Sequence, residues 1–148
     1  MKKFPDIPLV WLAVFLALNW AAVRWVPGVL DFPLLTLVGY GIVAVGVFLI
    51  GWSAVWFRLR RTSIEPHDTP KSLIVEGPYQ LSRNPIYLGM AAILAGAVVA
   101  GGHVLGLLPV ALFVVVINRR FIAFEEDTLR ATFGAEAEAY LQSTRRWL

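Results

Sequence analysis

Apolar residues along this chain fall into four blocks separated by shorter polar segments. The blocks cover residues 7–26, 32–57, 86–100 and 104–117. A helix rises about 1.5 Å per residue, so the first two blocks can cross a hydrocarbon core of about 30 Å. The last two blocks are shorter, and the glycine pair at 101–102 indicates a turn between them. The pattern predicts an all-α integral membrane protein with about four transmembrane helices, the last two forming a short hairpin.

The segment after the fourth block has the pattern of an amphipathic helix. Its apolar members are Phe121, Phe124, Leu129 and Phe133, and Gly134 interrupts it. Within the fourth block, Pro109 predicts a kink, because proline cannot donate the backbone hydrogen bond of a helix interior. We therefore expect a polar C-terminal helix outside the membrane core, following a bent fourth span.

Composition supports a membrane protein and narrows the chemistry available. Hydrophobic residues make up 58% of the chain and charged residues only 16%, against about 25% charged in soluble domains. Two lysines precede the first block, as in a signal peptide, but the block is too long for one and no cleavage-site pattern follows it. The chain has no cysteine, which excludes disulfides, thiolate metal sites and a cysteine nucleophile. Residues 1–148 read as one membrane domain.

The distribution of positive charge predicts the orientation. Twelve of the 13 lysines and arginines lie in the N-terminal segment, the middle loop or the C-terminal segment, and four spans place these three on one side. Arg24 alone lies near the opposite side. The positive-inside rule then places both termini in the cytosol, in the cell (inner) membrane. Anionic lipid headgroups account for the net charge of +3 without a nucleic acid partner.

Polar residues directly before the third block form the first candidate site. Asn84 is a favoured helix N-cap and Pro85 a favoured first helical residue, so the pair predicts the start of a helix. The exposed N–H groups and positive dipole of a helix start also suit an anion such as a carboxylate. Arg83 could contact that anion or simply reach the lipid headgroups. Tyr87 lies on the same helix face as Asn84, or is an interfacial tyrosine.

Two adjacent carboxylates form the second candidate site. Glu126 precedes Arg130 by four residues, so an ordinary pair on a helix surface accounts for it. Glu125 instead has Phe121 and Leu129 as its neighbours one turn away. A carboxylate on the apolar side of an interfacial helix requires a partner, either a basic side chain or a polar ligand. We therefore expect Glu125 to contact a ligand.

Three parts of the sequence together resemble the isoprenylcysteine carboxyl methyltransferase and phospholipid methyltransferase superfamily. They are residues 77–89 (Gly-Pro-Tyr-Gln-Leu-Ser-Arg-Asn-Pro-Ile-Tyr-Leu-Gly), the pair Glu125-Glu126, and the ending from Tyr140 to Leu148. The resemblance covers about residues 62–148 and implies a site for S-adenosylmethionine there. Where this chain has Asn84, the family motif often has histidine. An asparagine is no general base, but it still donates and accepts hydrogen bonds.

The resemblance also implies roles for individual residues. Those expected beside the reacting groups are Arg83, Asn84 and Tyr87. Those expected to contact the cofactor are Tyr79, Asn84, Tyr87, Leu88, Glu125, Glu126 and Arg145. The implied reaction is methyl transfer from S-adenosylmethionine to a lipophilic acceptor, a carboxylate or a lipid headgroup, at the cytosolic face of the membrane.

The sequence also leaves other functions open. A nicotinamide-dependent reductase related to the sterol reductases would share the C-terminal fold but have more spans. A small transporter subunit would need an ionisable residue within a span, and only Arg24 comes close; a non-catalytic membrane scaffold is the remaining alternative. The glycine pattern at Gly39 and Gly41 lies inside an apolar span and lacks the strand–turn–helix context of a nucleotide-binding loop. His67 and His103 would lie on opposite membrane faces, so no shared metal site is expected.

Overall fold

The computed structural model describes residues 6–25, 30, 32–62, 70–102 and 106–148, and within them the chain is helical. The helices are α1 (Pro8–Trp25), α2 (Pro33–Leu59), α3 (Pro85–Ala100), α4 (Leu107–Ile117), α5 (Ala123–Phe133) and α6 (Ala135–Ser143). A 3₁₀ turn, Gly77–Gln80, precedes α3, and a π-helical turn, Asn118–Ile122, joins α4 to α5. His67 and His103 lie outside the described residues.

Three helices of the described chain are long and apolar enough to cross a membrane. They are Pro8–Trp25, Pro33–Leu59 and the continuous helix Leu107–Phe133, and the shorter apolar helix Pro85–Ala100 packs among them. The ring of Phe15 on α1 meets the ring of Phe113 on α4 edge to face at 5.6 Å, and Leu94 of α3 is fully buried in the same core. The predicted all-helical membrane architecture is confirmed.

Glycines bring α2 and α3 into direct backbone contact. A Cβ atom on Gly46 would lie 2.5 Å from the carbonyl oxygen of Gly89, and one on Gly39 would lie 2.6 Å from that of Gly96. From Gly39 to Gly46 the residue numbers rise along α2, whereas those of their partners fall from Gly96 to Gly89 along α3, so the helices are antiparallel. Gly39 and Gly46 therefore serve close helix packing of the small-residue type. Gly39 thus has a packing role instead of a place in a nucleotide-binding loop.

The helix of the fourth span continues beyond residue 117. The polar segment after it is helical, as predicted, and the π-helical turn joins the two without a break as far as Phe133. Pro109 is the third residue of α4, where a backbone N–H would have no partner within the helix, so the proline removes no hydrogen bond of α4. The irregularity lies instead at the π-helical turn, which adds one residue to a helical turn and rotates everything beyond it.

The polar segments at one end of the bundle are folded onto the helices. In the middle loop, Ile74 and Tyr79 are buried and pack with Tyr140 of α6, against Trp56 and Phe57 of α2. The chain reverses at Gly77, whose φ is +60°, and a side chain there would collide with the ring of Trp56. The expected break at Gly134 is confirmed, with φ +54° between α5 and α6. This end of the bundle contains the candidate site.

Candidate functional site

A cavity of about 630 Å³ opens at the end of the bundle where α1 and α3 begin and α2 ends. Ligand pockets in proteins usually have volumes of about 300–1,000 Å³. Apolar side chains form most of the wall, including Ile50, Phe57, Ile74, Met90 and Leu129. The polar and charged lining residues are Ser72, Tyr79, Arg83, Asn84, Tyr87, Glu125, Glu126, Thr128 and Tyr140. The predicted N-terminal edge of α3 and the predicted carboxylate pair thus meet at one cavity.

Asn84 begins α3 as predicted, but its side chain does not cap the helix. The cap position shows no side-chain hydrogen bond to the first turn. Instead, Nδ2 of Asn84 donates to the carbonyl oxygen of Arg146 at 2.9 Å, and its backbone N–H donates to Oγ of Ser82 at 3.1 Å. The predicted capping contact is therefore wrong. Asn84 uses its amide to hold the C-terminal segment against the start of α3.

Arg83 lies at the cavity with part of its hydrogen-bonding capacity unused. One terminal nitrogen donates to the carbonyl oxygen of Leu141 at 3.0 Å and lies 3.5 Å from Oε1 of Glu126. The Nε atom is buried and has no hydrogen-bond partner among the described residues. A buried donor without a partner is costly. This N–H is therefore a candidate contact for a ligand in the cavity.

Tyr87 and Glu125 form the polar pair inside the cavity. Tyr87 is buried on α3, and its hydroxyl donates a hydrogen bond to Oε1 of Glu125 on α5. A basic side chain or a polar ligand was expected beside Glu125; the partner in the described residues is instead this hydroxyl group, and the ligand contact stays a prediction. No salt bridge to Glu125 occurs in the described part of the chain. Its carboxylate thus remains available to a cationic or hydrogen-bond-donating ligand.

Glu126, one residue further, has a contrasting environment. Its side chain is only 7% exposed, and Arg146 contacts it with two hydrogen bonds, Nε to Oε1 at 2.9 Å and a terminal nitrogen to Oε2 at 2.6 Å. Arg83 lies nearby at 3.5 Å, while the predicted partner Arg130 is 4.0 Å away. The interpretation of Glu126 as an ordinary surface pair with Arg130 is therefore incomplete. It is a buried carboxylate neutralised mainly by Arg146.

Two further tyrosines complete the polar wall. Tyr140 donates its hydroxyl hydrogen to the carbonyl oxygen of Tyr79 at 2.8 Å. Burial raises the pKa of the Tyr79 hydroxyl well above its usual range, and repulsion by Tyr140 and Glu125 raises it further. Burial also raises the pKa of Tyr140, although Arg83 opposes the change. Both hydroxyls are therefore neutral at physiological pH and act as hydrogen-bonding groups.

Two of the predicted site residues lie outside the cavity. Leu88 is on α3 but does not line the cavity wall, and the side chain of Arg145 is exposed on another surface beside Gln80 and Leu148. Arg145 contributes through its backbone, because its carbonyl oxygen accepts a hydrogen bond from the N–H of Arg83 at 2.8 Å. Within the described residues no cluster of histidine and acidic side chains could hold a metal ion.

The parts played by Arg146 and Met90 were not predicted from the sequence. Arg146 belongs to the C-terminal segment that resembles a known family, but nothing in the sequence distinguishes its side chain from that of Arg145. An extended conformation of this segment separates the two, because alternate side chains along an extended chain point in opposite directions. Met90 lies one turn after Tyr87 on the same helix face and is 4% exposed. That spacing was a usable signal for the cavity wall.

Comparison with known proteins gives one family and one relative. The sequence family described as phospholipid methyltransferase matches residues 34–136, more than two thirds of the chain. A protein of Haemophilus influenzae (strain ATCC 51907 / DSM 11121 / KW20 / Rd), named only "Uncharacterized protein", is 41% identical over 63 residues, which are 43% of this chain and all of that protein. No solved structure matches. The matched region contains α3 with the polar residues at its start, and both carboxylates.

Proposed function

Because the chain belongs to the phospholipid methyltransferase family, we propose that it transfers a methyl group from S-adenosylmethionine to a lipophilic acceptor in this cavity. The observation that carries the proposal is the asymmetry of the adjacent carboxylates. Glu126 is neutralised by arginine, whereas Glu125 faces the cavity and, among the described residues, is contacted by the hydroxyl of Tyr87 and by no basic side chain. A mostly apolar cavity with one uncompensated carboxylate suits a ligand that carries positive charge and hydrogen-bond donors.

The residues present fit S-adenosylmethionine, which carries a positively charged sulfur, an ammonium group and a carboxylate. Glu125 would accept hydrogen bonds from the ammonium group or the ribose hydroxyls. The buried Nε–H of Arg83, which has no partner within the described residues, would remain for a carboxylate of the acceptor. Tyr79 and Tyr87 would contribute hydroxyl groups to the same wall. The positive groups of the cofactor would thus lie near the carboxylate of Glu125, and a negative group of the acceptor near Arg83.

The acceptor would reach the cavity from the bilayer. Ile7, Pro8 and Leu9, at the start of α1, line the cavity, and Leu9 is 61% exposed on the outer surface of the bundle. An apolar tail could lie there while its reactive group extends toward Arg83 and Asn84. Since the basic segments gather at this end of the bundle, the opening would lie at the cytosolic face by the positive-inside rule.

Methyl transfer requires the protein mainly to align the acceptor atom with the methyl group and to exclude water. S-adenosylmethionine supplies a methyl group bound to a positively charged sulfur, and this sulfur becomes a neutral thioether when the methyl group is transferred. Arg83 and Asn84 would orient the acceptor atom in line with that methyl group, and Tyr87 with Glu125 would fix the donor side. The apolar wall around Met90 and Ile50 would exclude water. A carboxylate acceptor would need no base, whereas an amine headgroup would first lose a proton.

Two measurements on the purified protein test the proposed function. Isothermal titration with S-adenosylhomocysteine should give saturable binding to one site per chain. Transfer of a tritiated methyl group from S-adenosylmethionine into a total lipid extract should then identify the acceptor class. Absence of S-adenosylhomocysteine binding by well-folded protein would contradict the proposal, and a Glu125→Gln protein serves as the matched negative control for binding.

A further inference from the structure

The last residues of the chain connect the two walls of the cavity. On one side, the carbonyl oxygen of Arg146 accepts hydrogen bonds from Oγ of Ser82 at 3.1 Å and Nδ2 of Asn84 at 2.9 Å. On the other side, Nε1 of Trp147 donates to Oδ1 of Asn118, at the start of the π-helical turn, at 3.2 Å. The C-terminal segment thus links the start of α3 to the helix that carries the carboxylate pair.

The guanidinium of Arg146 contacts the same helix at Glu126. It donates hydrogen bonds to both carboxylate oxygens of Glu126, and this two-pronged geometry fixes the orientation of the carboxylate as well as its distance. Adjacent residues of a helix differ in direction by about 100°. Holding Glu126 toward Arg146 therefore sets where Glu125 points, which is toward Tyr87 and the cavity. Hydrogen bonding to Glu126 also raises the pKa of Arg146, so its guanidinium stays charged.

Arg145 provides a natural comparison. Thr144 has an extended backbone (φ −117°, ψ 138°), and along extended chain alternate side chains point to opposite sides. The side chain of Arg146 reaches Glu126, whereas that of Arg145 is exposed beside Gln80 and Leu81. The two arginines have the same charge and adjacent positions but different contacts.

We propose that Arg146 is a positioning residue for the methyl-transfer site, holding Glu125 toward the cavity through Glu126 and holding Asn84 through its own carbonyl oxygen. This inference rests on the proposed function, because it assigns the residue a part in binding the methyl donor. Arg146 does not line the cavity itself. Its effect on ligand affinity would therefore pass entirely through residues that do.

The test compares Arg146→Gln, Arg146→Lys and Arg145→Gln in the full chain, using S-adenosylhomocysteine as the probe. Titrations are run well below the lowest melting temperature of the set. Arg146→Gln should weaken binding at least about 5-fold, close to 1 kcal/mol on the scale where 1.4 kcal/mol is tenfold. Arg145→Gln should bind like the unmodified protein. Lysine keeps the charge but not the planar two-pronged contact, so Arg146→Lys should regain the melting temperature more fully than the affinity.

A double variant separates positioning from general destabilisation. If Arg146 acts through Glu126, then Glu126→Gln combined with Arg146→Gln should bind no more weakly than Arg146→Gln alone, because residues that act on one another are not additive. Equal affinities for Arg146→Gln, Arg145→Gln and the unmodified protein would overturn the positioning role while leaving the proposed function intact. Full recovery of affinity in Arg146→Lys would also overturn it. No binding by the unmodified protein would overturn both proposals.

Discussion

At the scale of single residues, the site depends on what each of two neighbouring carboxylates contacts. Glu125 accepts a hydrogen bond from Tyr87, while Glu126 accepts two from Arg146. The apolar helix neighbours of Glu125 indicated that its carboxylate needs a partner. They could not identify Tyr87, which is distant in the chain and lies beside Glu125 only in the folded molecule. Local spacing showed Arg130 beside Glu126 but could not show Arg146.

The two carboxylates should respond differently to neutralisation. Glu125→Gln should weaken S-adenosylhomocysteine binding by roughly 10- to 150-fold, since a hydrogen bond to a charged group contributes about 1.5–3 kcal/mol. Glu126→Gln should lower the melting temperature, because it removes the carboxylate that pairs with Arg146, and should weaken binding less than Glu125→Gln does. Titration calorimetry and thermal melting on both proteins check this. Equal and small changes in affinity would show that Glu125 is not a ligand contact.

Substitution of Arg83 tests its unused donor. Lysine keeps the positive charge but loses the Nε–H and the planar group that can align a carboxylate. Arg83→Lys should therefore lower methyl-transfer turnover at least about 10-fold, or about 1.4 kcal/mol, while affinity for S-adenosylhomocysteine changes less. Turnover is followed by tritium transfer to lipid, with Arg145→Gln as the control. Normal turnover in Arg83→Lys would leave Arg83 as an anchor at the headgroups.

At the scale of helices, the apolar blocks predicted α1, α2 and α3 closely, because helices in lipid must be continuous and apolar. The fourth span and the amphipathic helix after it were predicted as separate elements, since the polar segment Ala123–Phe133 no longer resembles a membrane span. Hydropathy measures composition and cannot reveal that the backbone hydrogen bonds continue through a π-helical turn. The same limit applies to Pro109, whose effect on a helix depends on its distance from the helix start.

The contact between α2 and α3 should tolerate no side chain at its glycines. In Gly46→Leu, the new Cβ would lie 2.5 Å from a backbone carbonyl oxygen, so the helices must move apart. Overpacking costs about 1–3 kcal/mol or more. Gly41 is the matched control on the same helix, since nothing lies within 4 Å of a Cβ added there. The melting temperature should fall for Gly46→Leu and stay unchanged for Gly41→Leu. An equal loss in both would contradict this helix contact.

At the scale of the whole molecule, the cavity draws on distant parts of the chain. Its wall includes Ile7 from the start of α1, Tyr79 from the middle loop, Glu125 from α5 and Tyr140 from α6. The sequence could place each of these near one end of the bundle, because the charge pattern puts their segments on one side. It could not show that they enclose a single space, which depends on how the segments pack.

The orientation of the molecule remains a prediction that fusions can test. Reporter proteins fused after Arg61 and at the C-terminus should both report the cytosol, because the basic segments follow the positive-inside rule. A fusion after Ala100, between the last two spans, should report the opposite side and serves as the control. A cytosolic site would give S-adenosylmethionine direct access. A periplasmic signal after Arg61 would contradict the four-span arrangement.

The brevity of α3 implies that membrane thickness matters to this protein. With 16 residues, α3 is about 24 Å long, whereas a typical hydrocarbon core is about 30 Å thick. A lipid layer that thins to match it draws the headgroups toward Asn84, at a cost of fractions of a kcal/mol per Å. Methyl transfer should accordingly be faster in vesicles of short-chain phosphatidylcholine than in long-chain vesicles of equal protein content. If the rate did not depend on chain length, the acceptor's path would be independent of the surrounding lipid.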